Sequence, residues 1–185
     1  MKKKIRFDLQ RFAVNEVRSH FINYEVFYGG ARKLGMANLT LPEINYKTND
    51  ITGAGIAGDV SMPTLGMVES MEAGIKWRTL NEDVTMLMQQ KAHDLTFRGA
   101  NQHYDAGLGT FKVQPVRVDL RGVPKSGNLG KMEQASESES ENTLELTYLK
   151  ITIGGVKRVE IDKLNYICYI NGEDVLTDVR SALGV

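Results

Sequence analysis

Two long runs of β-branched and aromatic residues, separated by a pair of glycines, occupy the C-terminal part of the chain. Residues 143–153 read TLELTYLKITI and residues 156–170 read VKRVEIDKLNYICYI, with Gly154 and Gly155 between them. Two glycines between such runs are typical of a two-residue hairpin turn, because both turn positions need positive φ. The pattern therefore predicts a long antiparallel hairpin. The second run is apolar on both faces beyond Leu164, so we expect it to be covered on both sides.

Two further segments alternate between apolar and polar residues. In residues 67–79 the apolar face is predicted to hold Met67, Met71, Ala73, Ile75 and Trp77. In residues 116–121 it is predicted to hold Val116, Val118 and Leu120. Alternation with period two indicates half-buried strands. Pro115 should lie at an edge or a bulge and should shift the phase of its strand relative to Phe111 and Val113.

One helix is predicted at residues 82–93. Asn81 stands in the N-cap position, and Glu82 and Asp83 place negative charge in the first turn. Apolar residues then recur at helical spacing, namely Val84, Leu87, Met88 and Ala92.

The N-terminal part divides into two segments. Residues 1–13 hold five basic residues and the single acid Asp8, which indicates a separate basic leader. Residues 14–34 are rich in aromatic and branched residues and are interpreted as a strand pair, with its turn near Asn23 and the pair Gly29 and Gly30 closing it. The remaining residues, 14–185, are predicted to form one domain.

Two glycine-rich or polar stretches are predicted to be long loops. Residues 49–66 contain four glycines and Pro63, and residues 122–142 begin with glycines and continue into SESESE. Long loops in a compact domain are usually functional, so we expect the first to contact a neighbour and the second to be exposed and mobile.

Composition restricts the class of protein. Lys plus Arg equals Asp plus Glu, 23 against 23, so no overall charge favours a tightly bound nucleic acid or an anionic membrane. Cys168 is the one cysteine and lies in an apolar run, which excludes an intramolecular disulfide. No apolar stretch has the length of a signal peptide or a membrane span, so no stable membrane association is expected.

The usual sets of catalytic or ligand-binding residues are not found. His20, His93 and His103 lack metal-site spacing. The turn GAGIAG at residues 53–58 lacks the flanking strand and helix of a nucleotide site, and SESESE lacks the glycine of a calcium loop. We therefore expect no catalytic, cofactor-binding or metal-binding residues and no enzyme activity.

The order of these motifs resembles that of the major tail tube proteins of contractile-tailed phages and related prophages. The resemblance is carried by FINY followed by GGARKLGMANLTLPEI, by TGAGIAG, by Arg121 with Gly122, and by the run LTYLKITIGGVKRVEIDKLNYICYINGEDVLTDVRSALGV. It covers about residues 14–185. The leader is not required by the family pattern, and Thr52 stands where an arginine would be expected.

The resemblance implies both a fold and a function. The fold would be mainly β (α+β), an antiparallel β-sandwich or small barrel with one flanking α-helix. Six copies would form a ring, and stacked rings would form an inner tube for DNA passage. The partners would be further copies and the tail sheath, tape measure and baseplate proteins. The location would be the tail tube of the virion, and the host cytoplasm before assembly.

Two alternatives remain at this point. The same subunit could build a headless phage-tail-like bacteriocin or a type VI-like secretion particle, which needs the same ring and no genome. A monomeric β-sandwich binding module, for a receptor or a glycan, is also compatible with the composition.

A conduit wall for DNA should be polar without being predominantly basic, because each phosphate contact would slow passage. We expect the C-terminal hairpin to contribute to the inner sheet of the ring. Glu72, Glu145 and Thr147 are the candidates for side chains that face the lumen, where acidic and neutral groups should outnumber Lys and Arg.

Overall fold

The computed structural model describes residues 16–35, 37–53 and 55–184. Antiparallel strands dominate this part of the chain, and its two helices are short. The strands are β1 (Glu16–Tyr28), β2 (Arg32–Lys33), β3 (Ala37–Thr40), β4 (Tyr46–Ile51), β5 (Val60–Val68), β6 (Glu72–Trp77), β7 (His93–Asp105), β8 (Thr110–Asn128), β9 (Ser140–Ile153), β10 (Val156–Asp162), β11 (Ile167–Ile170) and β12 (Glu173–Asp174). The helices are α1 (Glu82–Met86) and α2 (Thr177–Leu183). The predicted leader, residues 1–13, lies outside the described residues.

One large antiparallel sheet contains ten of the strands. Its order is β12-β11-β10-β9-β8-β7-β1-β2, and β6 and β3 join it through β9. One edge of β9 is therefore shared, because residues 148–153 pair with β10 and residues 140–145 pair with β6. Strands β4 and β5 pair with each other in a separate two-stranded sheet.

The core lies on one face of this sheet and is covered by α1. Met71, Ala73, Ile75 and Trp77 are at most 2% exposed, which confirms the predicted inward face of β6. The predicted inward residues of β8 are also buried, namely Val116, Val118 and Leu120. Met67 is the exception, since it belongs to β5 and is 47% exposed.

A buried polar network joins three elements of the core. The Trp77 indole Nε1 donates to Asn142 Oδ1 at 2.8 Å, and Asn142 Nδ2 donates to the Val84 carbonyl oxygen at 3.2 Å. Both side chains are nearly inaccessible to solvent. Because buried polar groups are destabilising unless they are hydrogen-bonded, this network fixes the position of α1 against β6 and β9.

Helix α1 begins where predicted but ends early. The Asn81 carbonyl Oδ1 accepts hydrogen bonds from the Asp83 and Val84 backbone N–H groups, which confirms the predicted N-cap. The helix ends at Met86 instead of residue 93. The following residues form turns, and the His93 Nε2–H donates to the Gln89 carbonyl, so the chain reverses and enters β7.

The C-terminal hairpin is confirmed, and its second strand is shorter than predicted. Gly154 and Gly155 have φ of 59° and 79° and connect the paired ends of β9 and β10. The predicted single strand 156–170 is divided, because the Asp162 carboxylate accepts from the backbone N–H groups of Leu164 and Asn165. This side-chain-capped turn sends β11 back along β10.

The N-terminal strand pair was wrongly predicted. Residues 16–28 form the single strand β1, which pairs with β7 along its length. Asn23 lies at a register irregularity in that pairing and not at a turn. The reversal occurs at Gly29 and Gly30, both with positive φ, and leads into β2.

Both predicted long loops contain strand. Residues 46–51 and 60–68 form a hairpin, so the loop is limited to residues 52–59. Strand β8 continues to Asn128, which limits the second loop to residues 129–139. That loop is exposed, as predicted, but it is held to the body by backbone bonds from Lys131 N to Ser138 O and from Ser138 N to Arg78 O.

Pro115 lies at an edge, as predicted, but does not shift the phase of β8. Strands β7 and β8 pair residue for residue from Asp105 and Thr110 to His93 and Gly122. Phe111 and Val113 therefore face away from Val116, on the solvent side of the sheet. Pro115 is just past the end of β9, where its carbonyl accepts from Gly154 N.

The mainly β class with a flanking helix is confirmed, and in the described residues the sheet is not closed into a barrel. The sheet curves so that β1 and β3 approach each other across a cleft of about 880 Å³. The Tyr24 hydroxyl donates to Asn38 Oδ1 at 2.7 Å across it. We call this gap between β1 and β3 the seam.

Candidate assembly surfaces

The hairpin of β4 and β5, with its connecting residues 52–59, projects from the body of the subunit and is called the arm. Almost every described residue of the arm is exposed. Seven of its large apolar side chains are 40% to 58% exposed, namely Tyr46, Ile51, Ile56, Val60, Met62, Leu65 and Met67. An apolar, two-sided ribbon of this kind is a surface that needs a partner, because scattered single apolar residues are normal and a continuous set is not.

The base of the arm is anchored at Gly66. Gly66 has a φ of +63°, and a Cβ at this position would lie 2.4 Å from Leu176 Cγ. Leu176 itself is buried, at 6% exposure. Where the two strands of the arm join the body, the Glu69 N–H, just after β5, donates to the Asn45 carbonyl, just before β4, at 2.8 Å. These contacts fix where the arm leaves the body, whereas its tip has no support from the described residues of the subunit.

A second exposed region is formed by residues 16–22 of β1, 102–105 of β7 and 110–113 of β8, which we call the sheet extension. Val17, Tyr104 and Phe111 are cross-strand neighbours and form an apolar row. They are 57%, 36% and 67% exposed, and the Tyr104 and Phe111 rings lie 5.1 Å apart. Val113, on the same face, is 62% exposed.

The solvent face of the large sheet carries paired charges. Arg121 contacts the Asp94 carboxylate with both Nε and Nη2, at 2.6 and 3.1 Å. Arg117 contacts Asp119 at 2.9 Å on the same strand. Hydrogen bonding to the Asp94 carboxylate raises the pKa of the Arg121 guanidinium, so its positive charge is fixed at all accessible pH values.

Two of the predicted lumen residues belong to this charged face and are also paired. Glu72 binds the ammonium of Lys125, and Glu145 binds Lys163 at 3.2 Å. Burial raises the pKa of Glu145, but hydrogen bonds from Ser70 and Lys163 outweigh it, so the pKa lies below its usual value. The third candidate, Thr147, donates its hydroxyl to the Arg121 carbonyl.

A further hydrogen-bonded charged group is centred on Glu160 of β10. The Tyr148 hydroxyl and the Lys157 ammonium both donate to the Glu160 carboxylate, at 2.9 and 2.5 Å. Burial, and then the hydrogen bond to Glu160, raise the pKa of Tyr148, which keeps its phenol neutral. The ammonium also lies 3.9 Å from the centre of the Tyr169 ring.

The three histidines lie in separate places. His93 is fully buried, with Nδ1 accepting from the Tyr28 hydroxyl at 3.1 Å. His103 Nδ1 lies 3.0 Å from Glu16 Oε1, and His20 Nδ1 lies 2.6 Å from Ser19 Oγ. In residues 16–35, 37–53 and 55–184, no group of three or more His, Cys, Asp or Glu side chains is arranged to hold a metal ion.

The glycine-rich motif GAGIAG and the acidic motif SESESE do not show the arrangement of ligand sites in the described part of the chain. The described residues of GAGIAG lie between β4 and β5 at the tip of the arm, which is not the strand-to-helix context of a phosphate site. In the SESESE segment Glu137 pairs with Arg78 at 2.9 Å, and Glu139 lies 3.7 Å from Lys131. Across the described part of the chain, no helix has the length and apolar character needed to cross a membrane.

Sequence reasoning expected the first loop to contact a neighbour but missed the apolar set on the arm. The signal was present, since six of the seven exposed large apolar residues of the arm lie in residues 51–67. Their spacing was irregular because neither face of the arm packs on a core.

Known proteins match almost the whole chain. The family model described as phage tail tube protein FII matches residues 18–184. The tail tube protein of Escherichia phage P2 is 28% identical over 167 residues, which cover 86% of this chain and 94% of that protein. The major tail tube protein of Serratia phage KSP20 is 24% identical over 165 residues, covering 88% and 94%. The resemblance seen in the sequence is thus confirmed, and the chain belongs to the phage tail tube protein FII family.

Proposed function

We propose that this chain is the structural subunit of the inner tube of a contractile phage tail. Residues 14–185 act as one domain, which assembles into hexameric rings that stack into a conduit for DNA. The subunit works through contacts with its own copies, without catalysis, cofactor or metal. Its place is the tail of the virion, after a period in the host cytoplasm before assembly.

The observation that carries this proposal is the unsupported arm. A two-stranded hairpin alone is at best marginally stable in water. The arm extends from the body with seven of its large apolar side chains 40% to 58% exposed. A second copy that covers the arm removes this area from water, which stabilises both the hairpin and the contact. The arm therefore suits the contact between successive rings.

Ring closure has a different surface available. The sheet extension presents the apolar row of Val17, Tyr104 and Phe111, and strands β1 and β3 have open edges at the seam within the described residues. Open strand edges are readily completed by strands of another copy. A head-to-tail contact between two different surfaces closes into a ring when the rotation between copies permits it.

The charged face of the large sheet suits the wall of a conduit. Several of its arginines and lysines are paired with carboxylates, as in Arg121 with Asp94 and Lys125 with Glu72. A phosphate that passes such a wall meets few uncompensated cations, so few counterions are released and binding stays weak. We propose that Glu72, Glu145 and Thr147 face the lumen, together with the hairpin of β9 and β10.

The sheath, the tape measure and the baseplate are the further partners that a tube of this type requires. A headless phage-tail-like particle or a type VI-like tube would use the same subunit contacts. A monomeric binding module is the less favoured function, because it would leave the apolar arm exposed to water.

Assembly of the purified chain tests the proposal. Negative-stain microscopy should show rings or rods of uniform width, and native mass spectrometry of the smallest closed species should give six copies. Hydrogen exchange should be fast in the arm and in residues 129–139 of the free subunit, and slow in tubes. A protein that stays monomeric at millimolar concentration, with equal exchange in all preparations, would contradict the proposal.

A further inference from the structure

The seam has features of a strand-binding groove. Within the described residues, β3 pairs only with β6, and β1 ahead of Val26 pairs only with β7. Each strand therefore presents one open edge to the cleft of about 880 Å³ between them. A cross-seam hydrogen bond joins the side chains of Tyr24 and Asn38. An added strand would complete the sheet here.

The walls of the seam carry more negative than positive charge. Four carboxylates line it, from Glu25, Glu137, Glu139 and Glu141, against three cations, from Lys33, Lys76 and Arg78, which gives a net charge of −1. Glu25 and Glu137 are paired with Lys33 and Arg78. The two remaining carboxylates lie on the side of the seam formed by the start of β9. Glu139 is 3.7 Å from Lys131, outside the lining, and Glu141 is the cross-strand neighbour of Lys76.

The N-terminal leader has a matching pattern in its sequence. Residues 1–13 contain Lys2, Lys3, Lys4, Arg6 and Arg11 against one acid, Asp8, a net charge of +4 from side chains. Ile5, Phe7 and Leu9 alternate with polar residues, which is the period of a strand with one apolar face. The family match begins at residue 18, so the leader lies outside the matched region.

We propose that the leader of one copy binds as an added strand in the seam of a neighbouring copy. The chain enters β1 at Glu16, at the tip of the sheet extension, whereas the seam lies beside residues 23–26 of the same strand. The sheet extension is the surface assigned above to ring closure, so the leader starts next to a neighbour. Thirteen extended residues span about 43 Å, which is enough to cross one interface. This inference rests on the proposed assembly into rings.

Photo-crosslinking in assembled tubes tests whether the leader of one copy binds in the seam of its neighbour. Phe7 is replaced by benzoylphenylalanine in the full-length chain, and equal amounts of ¹⁵N-labelled and unlabelled subunits are mixed before assembly. The matched control carries the same probe at Leu164, in the turn between β10 and β11. Intact mass confirms that the leader is present in the tubes.

The expected result is a cross-link from residue 7 to the seam, at residues 23–26, 37–40 or 137–141. About half of these cross-links should join labelled to unlabelled chains, as random mixing in a ring requires. The control probe should give no seam cross-links. Seam cross-links that join only chains of the same label, or tubes without seam cross-links, overturn the inference and leave the tube function intact. Failure to form tubes counts against the tube function itself.

A charge variant gives a second readout. In tubes of Glu139→Gln with Glu141→Gln, seam cross-linking should fall severalfold, whereas Glu43→Gln, an exposed glutamate outside the seam, should leave it unchanged. Deletion of residues 2–13 should raise the hydrogen-exchange rate of the Tyr24 and Val26 backbone amides at least tenfold in tubes. Unchanged cross-linking and exchange in these variants would also overturn the inference.

Discussion

Replacing Leu65 on the arm with serine should weaken assembly and leave the free subunit stable. Leu65 is 58% exposed on β5. Burying a whole leucine side chain contributes about 1.5 to 3 kcal/mol, so covering the exposed part contributes about 1 to 2 kcal/mol at each arm contact. That free energy corresponds to an increase of about five- to thirtyfold in the subunit concentration needed for tube formation. Surface substitutions of this kind change folding stability by only about 0.5 kcal/mol.

The measurement combines two assays. Sedimentation of tubes across a dilution series gives the critical concentration, and urea denaturation of the dilute subunit gives the free energy of unfolding. Leu164→Ser is the matched control, because this leucine is 73% exposed but lies in the turn between β10 and β11. An equal shift in both variants would refute the role of the arm. A destabilised Leu65→Ser monomer would refute the view that the arm is unsupported before assembly.

Three further predictions concern the subunit itself. Ile161→Asp places an unpaired carboxylate at a position that is 1% exposed, and it should destabilise the free subunit by about 3 to 5 kcal/mol, visible as lost circular dichroism. Gly66→Ala should destabilise by about 1 to 3 kcal/mol more than Gly109→Ala in urea denaturation, because both glycines have positive φ but only the first would collide with Leu176. Glu145→Gln should lower stability at neutral pH and converge with the unmodified chain on acidification. The folded pKa of Glu145 is depressed, so its contribution is complete above the unfolded pKa and is lost as pH falls through the folded pKa.

The elements with one buried face could be predicted from the sequence. Alternation located β6 and the middle of β8, and the pair Gly154 and Gly155 located the hairpin, because in each case the local pattern and the final packing agree. The N-cap at Asn81 was found for the same reason. The end of α1 could not be found, since it depends on where β7 must start to reach the core.

The missed strands fail for two physical reasons. Strand β4 is exposed along its whole length, so no hydrophobic period marks it. In β8 the residue Gly122 was taken as the start of a loop. It is a strand glycine, needed because a Cβ there would lie 2.7 Å from the Glu145 carbonyl oxygen. The turn at Asp162 had a local signal, an Asp followed by Asn three residues later, within an otherwise strand-like run.

The shared edge of β9 has a consequence for folding kinetics. The pairings among β7, β8, β9 and β10 join neighbours in sequence, whereas β6 at residues 72–77 must find residues 140–145. Pairing β6 with β9 closes a long loop in the chain, and this closure has an entropy penalty. The penalty is offset only when β9 has already formed and can pair with β6. Docking of β6, which brings Trp77 to Asn142, should therefore follow formation of the β7–β10 meander. The kinetic φ-value is the change in the activation free energy of folding divided by the change in stability caused by a mutation. It should be high for mutations in β8 and β9 and near zero for mutations at Ile75.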